Sequence, residues 1–272
     1  MQAKNFLFIL SDQHHRLFSG AYGHPTVQTP HLDALAARGT RFQNAYTNCP
    51  ICVPERASLA TGRYVHQIGF WDNGHPYDGS VPSWHHRLRA QGYTCDSIGK
   101  LHFKGVESDH GFCQEVEPLH VYDGSGDILG CIRDNPPFRD KVGELSRAGG
   151  GDSTYLHYDA RCTEHALHWL ENHRSNDKPW AVFLNFVCPH PPYIAPPDLY
   201  KRYASADVAL PPQCMPDTWP THPALAYFRR FFSMEEGHDE ETLRRVAAAY
   251  MGTAPCWARW ASATVRGWSI HL

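Results

Sequence analysis

The sequence predicts an α/β fold with a mainly parallel central sheet and helices on both of its faces. Short apolar runs alternate with segments whose apolar residues recur at helical spacing, and this alternation is typical of such sheets. A polar residue follows soon after each of the three clearest runs. Because ligands collect at the carboxyl ends of parallel strands, we expect a functional site at that edge. The runs cover residues 5–10, 93–98 and 180–187, and the polar residues beyond them are Asp12, Lys100 and His190.

Caps and helix breakers set the element boundaries in the first half of the chain. The run 5–10 is of the kind that fills a buried parallel strand. A Thr-Pro pair begins a helix over 29–36, which Gly39 ends. A further helix has Pro54 in its first turn and Gly62 in the left-handed position just past its end. The other predictions here are a strand over 41–46, a helix from 80 or 82 to 90 that closes near Gly92, and a strand over 93–98.

The second half of the chain continues the alternation less regularly. Apolar residues at helical spacing predict a helix over 155–172, and a strand follows over 180–187. A last helix is predicted over 238–250. Residues 105–151 carry few periodic signals and are predicted to be an insertion near the mouth of the site. Residues 189–223 are rich in proline and are predicted to follow an extended path over the surface.

Composition bounds the class of protein. The 272 residues are 42% hydrophobic and 19% charged, enough for a substantial core in one or two domains. A formal net charge of −3 gives no case for a nucleic-acid partner, and no apolar run reaches the length of a transmembrane helix. The nine cysteines are irregularly spaced, which fits a reducing compartment, and no signal peptide is recognised before the first strand. We therefore expect a cytoplasmic protein without a membrane partner.

The most informative segment begins at Cys52, where Cys52, Pro54 and Arg56 form a Cys-x-Pro-x-Arg pattern. Cys52 is predicted to lie at a helix N-terminus, where unpaired N–H groups and the helix dipole lower a thiol pKa and attract sulfate or phosphate. Arg56 lies about one turn further, where its planar guanidinium could hold a nucleophile or an anion oxygen.

Cys49 and Cys52 also form a Cys-x-x-Cys pair, which alone is compatible with half of a zinc site or with a redox pair. The sequence has no second such pair and no His-x-x-x-His at zinc-finger spacing. The redox interpretation leaves Arg56, Thr61 and Gly62 without a role. An anion-hydrolysing site is therefore favoured.

In chain order, these motifs resemble a sulfatase of the alkaline phosphatase superfamily over roughly residues 5–250. The resemblance implies an alkaline-phosphatase-like fold. The Asp12-Gln13 pair and the segment Lys100-Leu101-His102-Phe103 are most similar to the choline-sulfatase and phosphonate monoester hydrolase branches. The other matching segments are Gly23-His24-Pro25, Thr29-Pro30-His31-Leu32-Asp33, Asp72-Asn73 and Pro189-His190-Pro191-Pro192.

The resemblance also implies a role for each matching residue. A formylglycine-generating enzyme would oxidise Cys52 to formylglycine, which would supply the nucleophile. Asp12, with Gln13 as a weaker neutral ligand and the modified Cys52, would bind a divalent cation, first Ca²⁺ and otherwise Mn²⁺ or Mg²⁺; a cap or turn role is the structural alternative for Asp12. Arg56 would orient the nucleophile, Lys100 would bind the sulfuryl oxygens, His102 would act as base, and His190 would bind or protonate the leaving group. Asn73 is a weaker candidate for which a turn role is an equal alternative.

Two features depart from the family pattern. Glu55 stands where serine or alanine is usual, and it adds a negative charge near an anion site. No Asp-His-Gly or Asp-Asn segment follows His190 to supply the remaining metal ligands, so the C-terminal part of the fold is predicted to be missing. Residues 1–252 are predicted to form the sulfatase-like catalytic region. Residues 253–272, whose tryptophans show no regular pattern, are predicted to be a non-homologous tail that a frameshift or truncation produced; the alternative is a genuine short family member with a substitute terminus.

Three functional hypotheses follow. The first is a metal-dependent sulfuric ester hydrolase with a formylglycine nucleophile, and the second is a phosphonate or phosphate diester hydrolase on the same site. The third is a truncated chain that binds anions without turnover. The first two imply a small-molecule sulfate or phosphonate ester as substrate, while the natural alcohol and the oligomeric state, including a homo-oligomer, stay open.

Overall fold

The computed structural model describes residues 4–124, 142–173, 178–206 and 209–269 of the chain. Its strands are β1 (Phe6–Ser11), β2 (Thr94–Gly99), β3 (Gln114–Val116), β4 (Gly149–Gly150), β5 (Trp180–Phe186) and β6 (Ile194–Ala195). Its α-helices are α1 (Pro30–Arg38), α2 (Cys52–Thr61), α3 (Val65–Ile68), α4 (Trp84–Ala90), α5 (Val142–Ser146), α6 (Thr154–His173), α7 (Pro197–Ala204), α8 (Pro223–Phe231) and α9 (Glu240–Ser269).

The main sheet has four strands in the order β1-β5-β2-β3, and all of its pairings are parallel. A second, two-stranded parallel sheet pairs β4 with β6. Parallel strands need long crossover connections, which here are mostly helical. The predicted fold class, a parallel sheet with helices, is confirmed.

Side-chain alternation along β5 divides the core into two layers. Every residue of β5 is buried. Leu184 and Phe186 pack into a cluster that includes residues of α6 and α9, while Ala181 and Phe183 pack into a second cluster that includes residues of α2 and α4. Successive residues of a strand point to opposite faces, so a strand that is apolar throughout requires a layer on each face. The predicted helices on both faces are found.

Strand β1 lies at an edge, and the prediction of a fully buried first strand is wrong. β1 pairs with β5 on one side, and no other described strand pairs with it. Phe6 and Phe8 are 49% and 38% exposed. The apolar run therefore predicts a strand but does not predict where that strand lies in the sheet.

Three further predictions need correction. Residues 41–46 form no strand; Phe42 and Tyr46 are exposed, and the Phe42 carbonyl oxygen accepts a hydrogen bond from the Tyr22 hydroxyl. The insertion predicted over 105–151 contains β3, which completes the main sheet, while its residues 125–141 lie outside the described part. The extended path predicted over 189–223 is interrupted by the helix α7.

The last helix is longer than predicted. Instead of ending near Tyr250, α9 continues to Ser269 with Pro255 inside it. Met251, Ala254, Ala258 and Ala261 are buried and recur every three or four residues, so they form one apolar stripe. Small residues carry this pattern, which is why the tryptophans alone did not reveal it. α9 packs against α6 and α7.

Within the described residues, no helix combines the length and the apolar character that crossing a bilayer requires.

Candidate active site

Four of the predicted site residues converge at the carboxyl edge of the main sheet. Asp12 follows β1, Lys100 follows β2, and Cys52 and Arg56 occupy the first two turns of α2. The carboxylate Oδ2 of Asp12 lies 2.6 Å from Lys100 Nζ and 3.1 Å from Arg56 Nη2. Its Oδ1 lies 4.0 Å from Cys52 Sγ. The Asp12, Arg56 and Lys100 side chains are only 10%, 5% and 5% exposed, so their charges interact largely outside water.

The start of α2 holds Cys52 in place. Ile51 is the cap residue and offers no side-chain hydrogen bond, but Asn73 Oδ1 accepts the Val53 N–H at 3.0 Å. A side chain from another segment thus does what a cap residue normally does. At the other end, Gly62 adopts the expected left-handed conformation with φ of 67°. Asn73, for which the sequence leaves a site role and a turn role open, caps the helix that carries Cys52.

The thiol of Cys52 does not have the lowered pKa that its place at a helix N-terminus suggested. Burial raises its pKa, and the negative charge of Asp12 adds to that effect; both outweigh Lys100 and Arg56. Burial also raises the pKa of Cys49, and neither cysteine is in a disulfide. The pair therefore lacks the reactive thiolate of a redox Cys-x-x-Cys motif.

Asp12 is ionised despite its burial. Burial alone would raise its pKa, but the positive charges of Lys100 and Arg56 dominate and hold the pKa well below its usual range. Two cations face one carboxylate, so this group carries one excess positive charge. A buried centre with a net positive charge, next to a helix N-terminus, favours an anion.

Asn185, on β5, forms hydrogen bonds with both Lys100 and Arg56. The Lys100 N–H donates to the Asn185 carbonyl oxygen at 3.2 Å, and Arg56 Nη1 donates to the Asn185 side-chain oxygen at 3.4 Å. Arg56 also donates to the Lys100 carbonyl oxygen. Asn185 was missed from the sequence, although an amide inside an otherwise apolar strand was the available signal.

The two histidines differ in their surroundings. Burial, with the nearby positive charge of Lys100, lowers the pKa of His102 to about 3, so its ring is neutral at physiological pH. His102 Nδ1 is buried without a hydrogen-bond partner among the described residues. His190 Nδ1 lies 2.7 Å from the Pro191 carbonyl oxygen, and its ring packs against Tyr155. His190 is close enough to Asp12 for its charge to lower the Asp12 pKa.

Asp159 is a second residue that the sequence did not single out. It lies on the buried face of α6 and accepts the N–H groups of Val187 and Cys188, each at 2.8 Å. Burial raises its pKa to about 6. The carboxylate fixes the start of the loop that carries His190. The signal was an aspartate on the apolar face of a predicted helix.

Gln13 and Glu55 point to other partners. Gln13 is exposed, and its side-chain nitrogen donates to the Tyr193 hydroxyl at 3.2 Å. The Glu55 carboxylate accepts a hydrogen bond from the Thr47 hydroxyl.

A calcium site at Asp12 would be incomplete on the residues described. Calcium takes six to eight oxygen ligands, and the group offers one carboxylate. That carboxylate already binds Lys100 and Arg56, whose charges oppose a dication. The described residues do not fit a calcium site by themselves.

At its carboxyl edge, the parallel sheet presents a buried Asp-Lys-Arg group beside a cysteine at a helix N-terminus, an arrangement suited to binding an anion. The Sulfatase family model matches residues 4–250, so the chain belongs to the sulfatase family. Sulfatases generally use a metal ion and a formylglycine.

Relatives agree with this assignment. The choline-sulfatase of Rhizobium meliloti is 31% identical over an alignment of 221 residues that covers 76% of this chain and 42% of that protein. Arylsulfatase K of Danio rerio is 29% identical and covers 69% of this chain and 34% of that protein. The chain thus spans about two fifths or less of the length of these relatives. The predicted resemblance to the choline-sulfatase branch is confirmed.

Solved structures show the same fold. A putative sulfatase from Bacteroides thetaiotaomicron superposes with a TM-score of 0.69 at 21% identity. The superposition covers 99% of this chain and 55% of the chain of that sulfatase. The phosphonate monoester hydrolase of Agrobacterium radiobacter has a TM-score of 0.68 at 21% identity, with 97% and 60% covered. The predicted alkaline-phosphatase-like fold is confirmed, and the chain covers just over half of these neighbours.

Proposed function

We propose that this chain carries the catalytic centre of a sulfuric ester hydrolase in which Cys52 bears the nucleophile. The observation that carries the proposal is the convergence of Cys52, Arg56 and Lys100 on Asp12 at the start of α2. The excess positive charge of this group and the helix N-terminus suit the oxygens of a sulfate ester. The choline-sulfatase relative supports the same reaction class.

Position 52 is the proposed site of formylglycine. The raised pKa of the Cys52 thiol supports this, because an unmodified thiol in this environment is a poor nucleophile at neutral pH. A hydrated formylglycine at this position would provide an oxygen nucleophile for the sulfur of the ester, with the alcohol oxygen as the leaving group. The partner required is a formylglycine-generating enzyme.

The other residues have distinct proposed roles. Lys100 and Arg56 hold the sulfuryl oxygens and orient residue 52. His102 is the proposed base for the group at position 52, a role for which its neutral ring keeps a nitrogen lone pair, and His190 gives a proton to the departing alcohol oxygen. Asp12, with Gln13 as a neutral neighbour and the modified Cys52, is the proposed start of a divalent cation site for Ca²⁺, or otherwise Mn²⁺ or Mg²⁺. These three residues alone do not complete the six to eight oxygen ligands that calcium takes.

A phosphonate or phosphate diester hydrolase is the second candidate. The fold neighbour that is a phosphonate monoester hydrolase favours it, and a tetrahedral phosphorus ester would present similar oxygens to Lys100 and Arg56. Rates on an aryl sulfate and on an aryl phosphonate monoester, measured with one preparation, separate the two. Turnover of neither by a preparation that binds inorganic sulfate favours the third hypothesis, anion binding without turnover.

Peptide mass spectrometry tests the nucleophile directly. The chain is co-expressed with a formylglycine-generating enzyme, and the peptide that spans position 52 should carry the mass of formylglycine. Cys49→Ala is the matched control, because it changes the other cysteine of the pair, and it should leave the conversion intact. Cys52→Ala should abolish any sulfatase activity. An unconverted Cys52 in an active preparation would refute the formylglycine mechanism.

A further inference from the structure

Two histidines and a glutamate, side chains of the types that ligate metals, cluster around β3, outside the candidate active site. Glu115 is on β3, and His110 and His120 lie five residues before and after it. His110 Nδ1 lies 2.9 Å from Glu115 Oε1, and His120 Nε2 lies 3.0 Å from Glu115 Oε2. The three ligand atoms all lie within 4.8 Å of one another. The side chains are 0%, 18% and 11% exposed for His110, Glu115 and His120.

The Glu115 carboxylate lies between the two histidines. Its Oε1 faces the His110 ring and its Oε2 faces the His120 ring, and all three side chains are largely buried. One carboxylate and two imidazoles therefore present their ligand atoms to each other where water is largely excluded, an arrangement that a bound cation would stabilise.

Both histidine rings direct their hydrogen-bonding contact at Glu115. His110 Nε2 and His120 Nδ1, the nitrogens that face away from Glu115, are buried and have no hydrogen-bond partner among the described residues. The nitrogens beside the carboxylate, His110 Nδ1 and His120 Nε2, are therefore the ones placed to ligate a cation.

The geometry suits a small, borderline-soft cation. Tetrahedral zinc with bonds of about 2.0–2.1 Å separates neighbouring ligand atoms by about 3.3 Å. The two histidine–carboxylate distances, 2.9 Å and 3.0 Å, are close to that value, and all three ligand atoms lie within 4.8 Å of one another, so small side-chain rotations would bring them around one ion. Two imidazoles and one carboxylate are a typical zinc set and a poor calcium set. Glu115 and His120 are partly exposed, so water can supply a fourth ligand.

The group of His110, Glu115 and His120 is linked by hydrogen bonds and a ring contact to the segment that carries Lys100 and His102. The His102 N–H donates to the Leu119 carbonyl oxygen at 2.7 Å, and the Val121 N–H donates to the Phe103 carbonyl oxygen at 2.9 Å. The His110 ring centroid lies 5.0 Å from that of Phe103. A cation that joins His120 to β3 would therefore fix the segment 119–121, and through it the 100–103 segment.

We propose that His110, Glu115 and His120 form a zinc site that is separate from the catalytic centre and holds the segment of Lys100 and His102 in place. The ligand is Zn²⁺ or a similar transition-metal dication. Zinc binding at these residues depends neither on the proposed hydrolytic activity nor on the cation proposed at Asp12.

Calorimetric titration with Zn²⁺ tests the proposal on the full chain. The background carries Asp12→Asn and Cys52→Ala, which remove the cation site proposed at Asp12 and the Cys-x-x-Cys pair, and it is stripped with a chelator first. We expect one equivalent of zinc to bind and an excess of Ca²⁺ to leave it bound. Glu115→Gln or His120→Gln should weaken zinc binding by about 100-fold or more, since loss of an outer-shell partner alone costs 10–100-fold. His157→Gln, which changes an exposed histidine that also pairs with a carboxylate, should have no effect.

Spectroscopy on the background protein keeps the test independent of how the site variants fold. Bound Co²⁺ should give tetrahedral bands without sulfur-to-metal charge transfer, and X-ray absorption of the zinc form should show two imidazoles. No stoichiometric zinc binding, binding unchanged by both Glu115→Gln and His120→Gln, a thiolate signature, or a spectrum without imidazole would each overturn the proposal.

Discussion

Asp12 is the residue through which the candidate active site is held together. Its Oδ2 binds both Lys100 and Arg56, so the carboxylate neutralises one of two cations and leaves the other charge for an anion. Removing Lys100 would leave Asp12 paired with Arg56 and cancel the excess charge. The balance of these three charges therefore controls anion binding.

Lys100→Met should lower the affinity for inorganic sulfate by about 10–100-fold, because one hydrogen bond to a charged group contributes about 1.5–3 kcal/mol. Any hydrolysis of an aryl sulfate should fall at least as much, since the lysine also stabilises charge in the transition state. Isothermal titration and initial rates measure the two effects. Lys104→Met is the control, because Lys104 is exposed and four residues away. Equal sulfate affinity in both variants would place the anion site elsewhere.

The identity of the converging residues could be predicted from the sequence, but their ionisation could not. Asp12 and Lys100 each follow an apolar run, and the edge of a parallel sheet brings such residues together. The raised pKa of Cys52 depends instead on burial by three segments and on the Asp12 charge. That environment exists only in the folded chain.

At the scale of elements, the approach of β2 to β5 depends on Gly99. Its φ is +91°, and a Cβ at this position would lie 2.1 Å from the Asn185 carbonyl oxygen. The same carbonyl accepts the Lys100 N–H. Only a residue without a Cβ lets the strand end place Lys100 here.

Gly99→Ala should lower the free energy of unfolding by roughly 2–5 kcal/mol, the sum of left-handed backbone strain and overpacking. Gly92→Ala is a matched control, since its φ is +86° but nothing lies within 4 Å of the added Cβ. The control should show the backbone cost alone, about 1–2 kcal/mol. Denaturant unfolding measures the free energy of unfolding of both variants. Equal decreases in this free energy would mean that β2 and β5 move apart to accommodate the added Cβ without an energetic cost.

Part of the segment predicted as a non-homologous tail belongs to α9 and contacts the loop that carries Asp12. Trp257 is buried, and its Nε1 donates to His14 Nδ1 at 3.2 Å, two residues beyond Asp12. The Tyr250 hydroxyl donates to the Gln13 carbonyl oxygen at 2.8 Å and accepts the His15 N–H at 2.8 Å. One helix thus holds the loop that follows β1.

Trp257→Ala should destabilise the fold by about 3–5 kcal/mol, as expected for the loss of a large buried aromatic side chain. Arg259→Ala, two residues away and exposed, should stay within about 0.5 kcal/mol of the parent. Thermal or denaturant unfolding gives the comparison. Parent-like stability of the Trp257 variant would mean that this part of the chain is not part of the folded core.

At the scale of the whole molecule, the sequence predicted the layers but not the order of the strands. Apolar runs identified β1, β2 and β5, while the three-residue β3 was too short to show a pattern. The exposure of Phe6 and Phe8 follows from the edge position of β1, which depends on non-local pairing. The group of His110, Glu115 and His120 was not found because its ligands flank a strand rather than follow a known metal spacing.

The balance of charges also predicts how this chain responds to the cation that sulfatases generally use. A dication at Asp12 must displace or repel Lys100 and Arg56, and it gains one carboxylate. We expect Ca²⁺ or Mn²⁺ to bind with a Kd of roughly 10⁻⁴ M or weaker, as in calcium sites with few charged ligands. Little or no aryl sulfate hydrolysis should accompany such binding. Titration in a Glu115→Gln background, beside an aryl sulfate assay, measures both without interference from the proposed zinc site.

Asp12→Asn decides whether any calcium that binds uses the candidate active site. Weak binding that this variant does not change would be nonspecific, as expected if the carboxylate is saturated by its two cations. Tight stoichiometric binding that Asp12→Asn abolishes, together with robust turnover, would contradict the prediction. It would mean that Lys100 and Arg56 move off the carboxylate when the cation arrives, and that Gln13 or residues outside the described part complete its coordination.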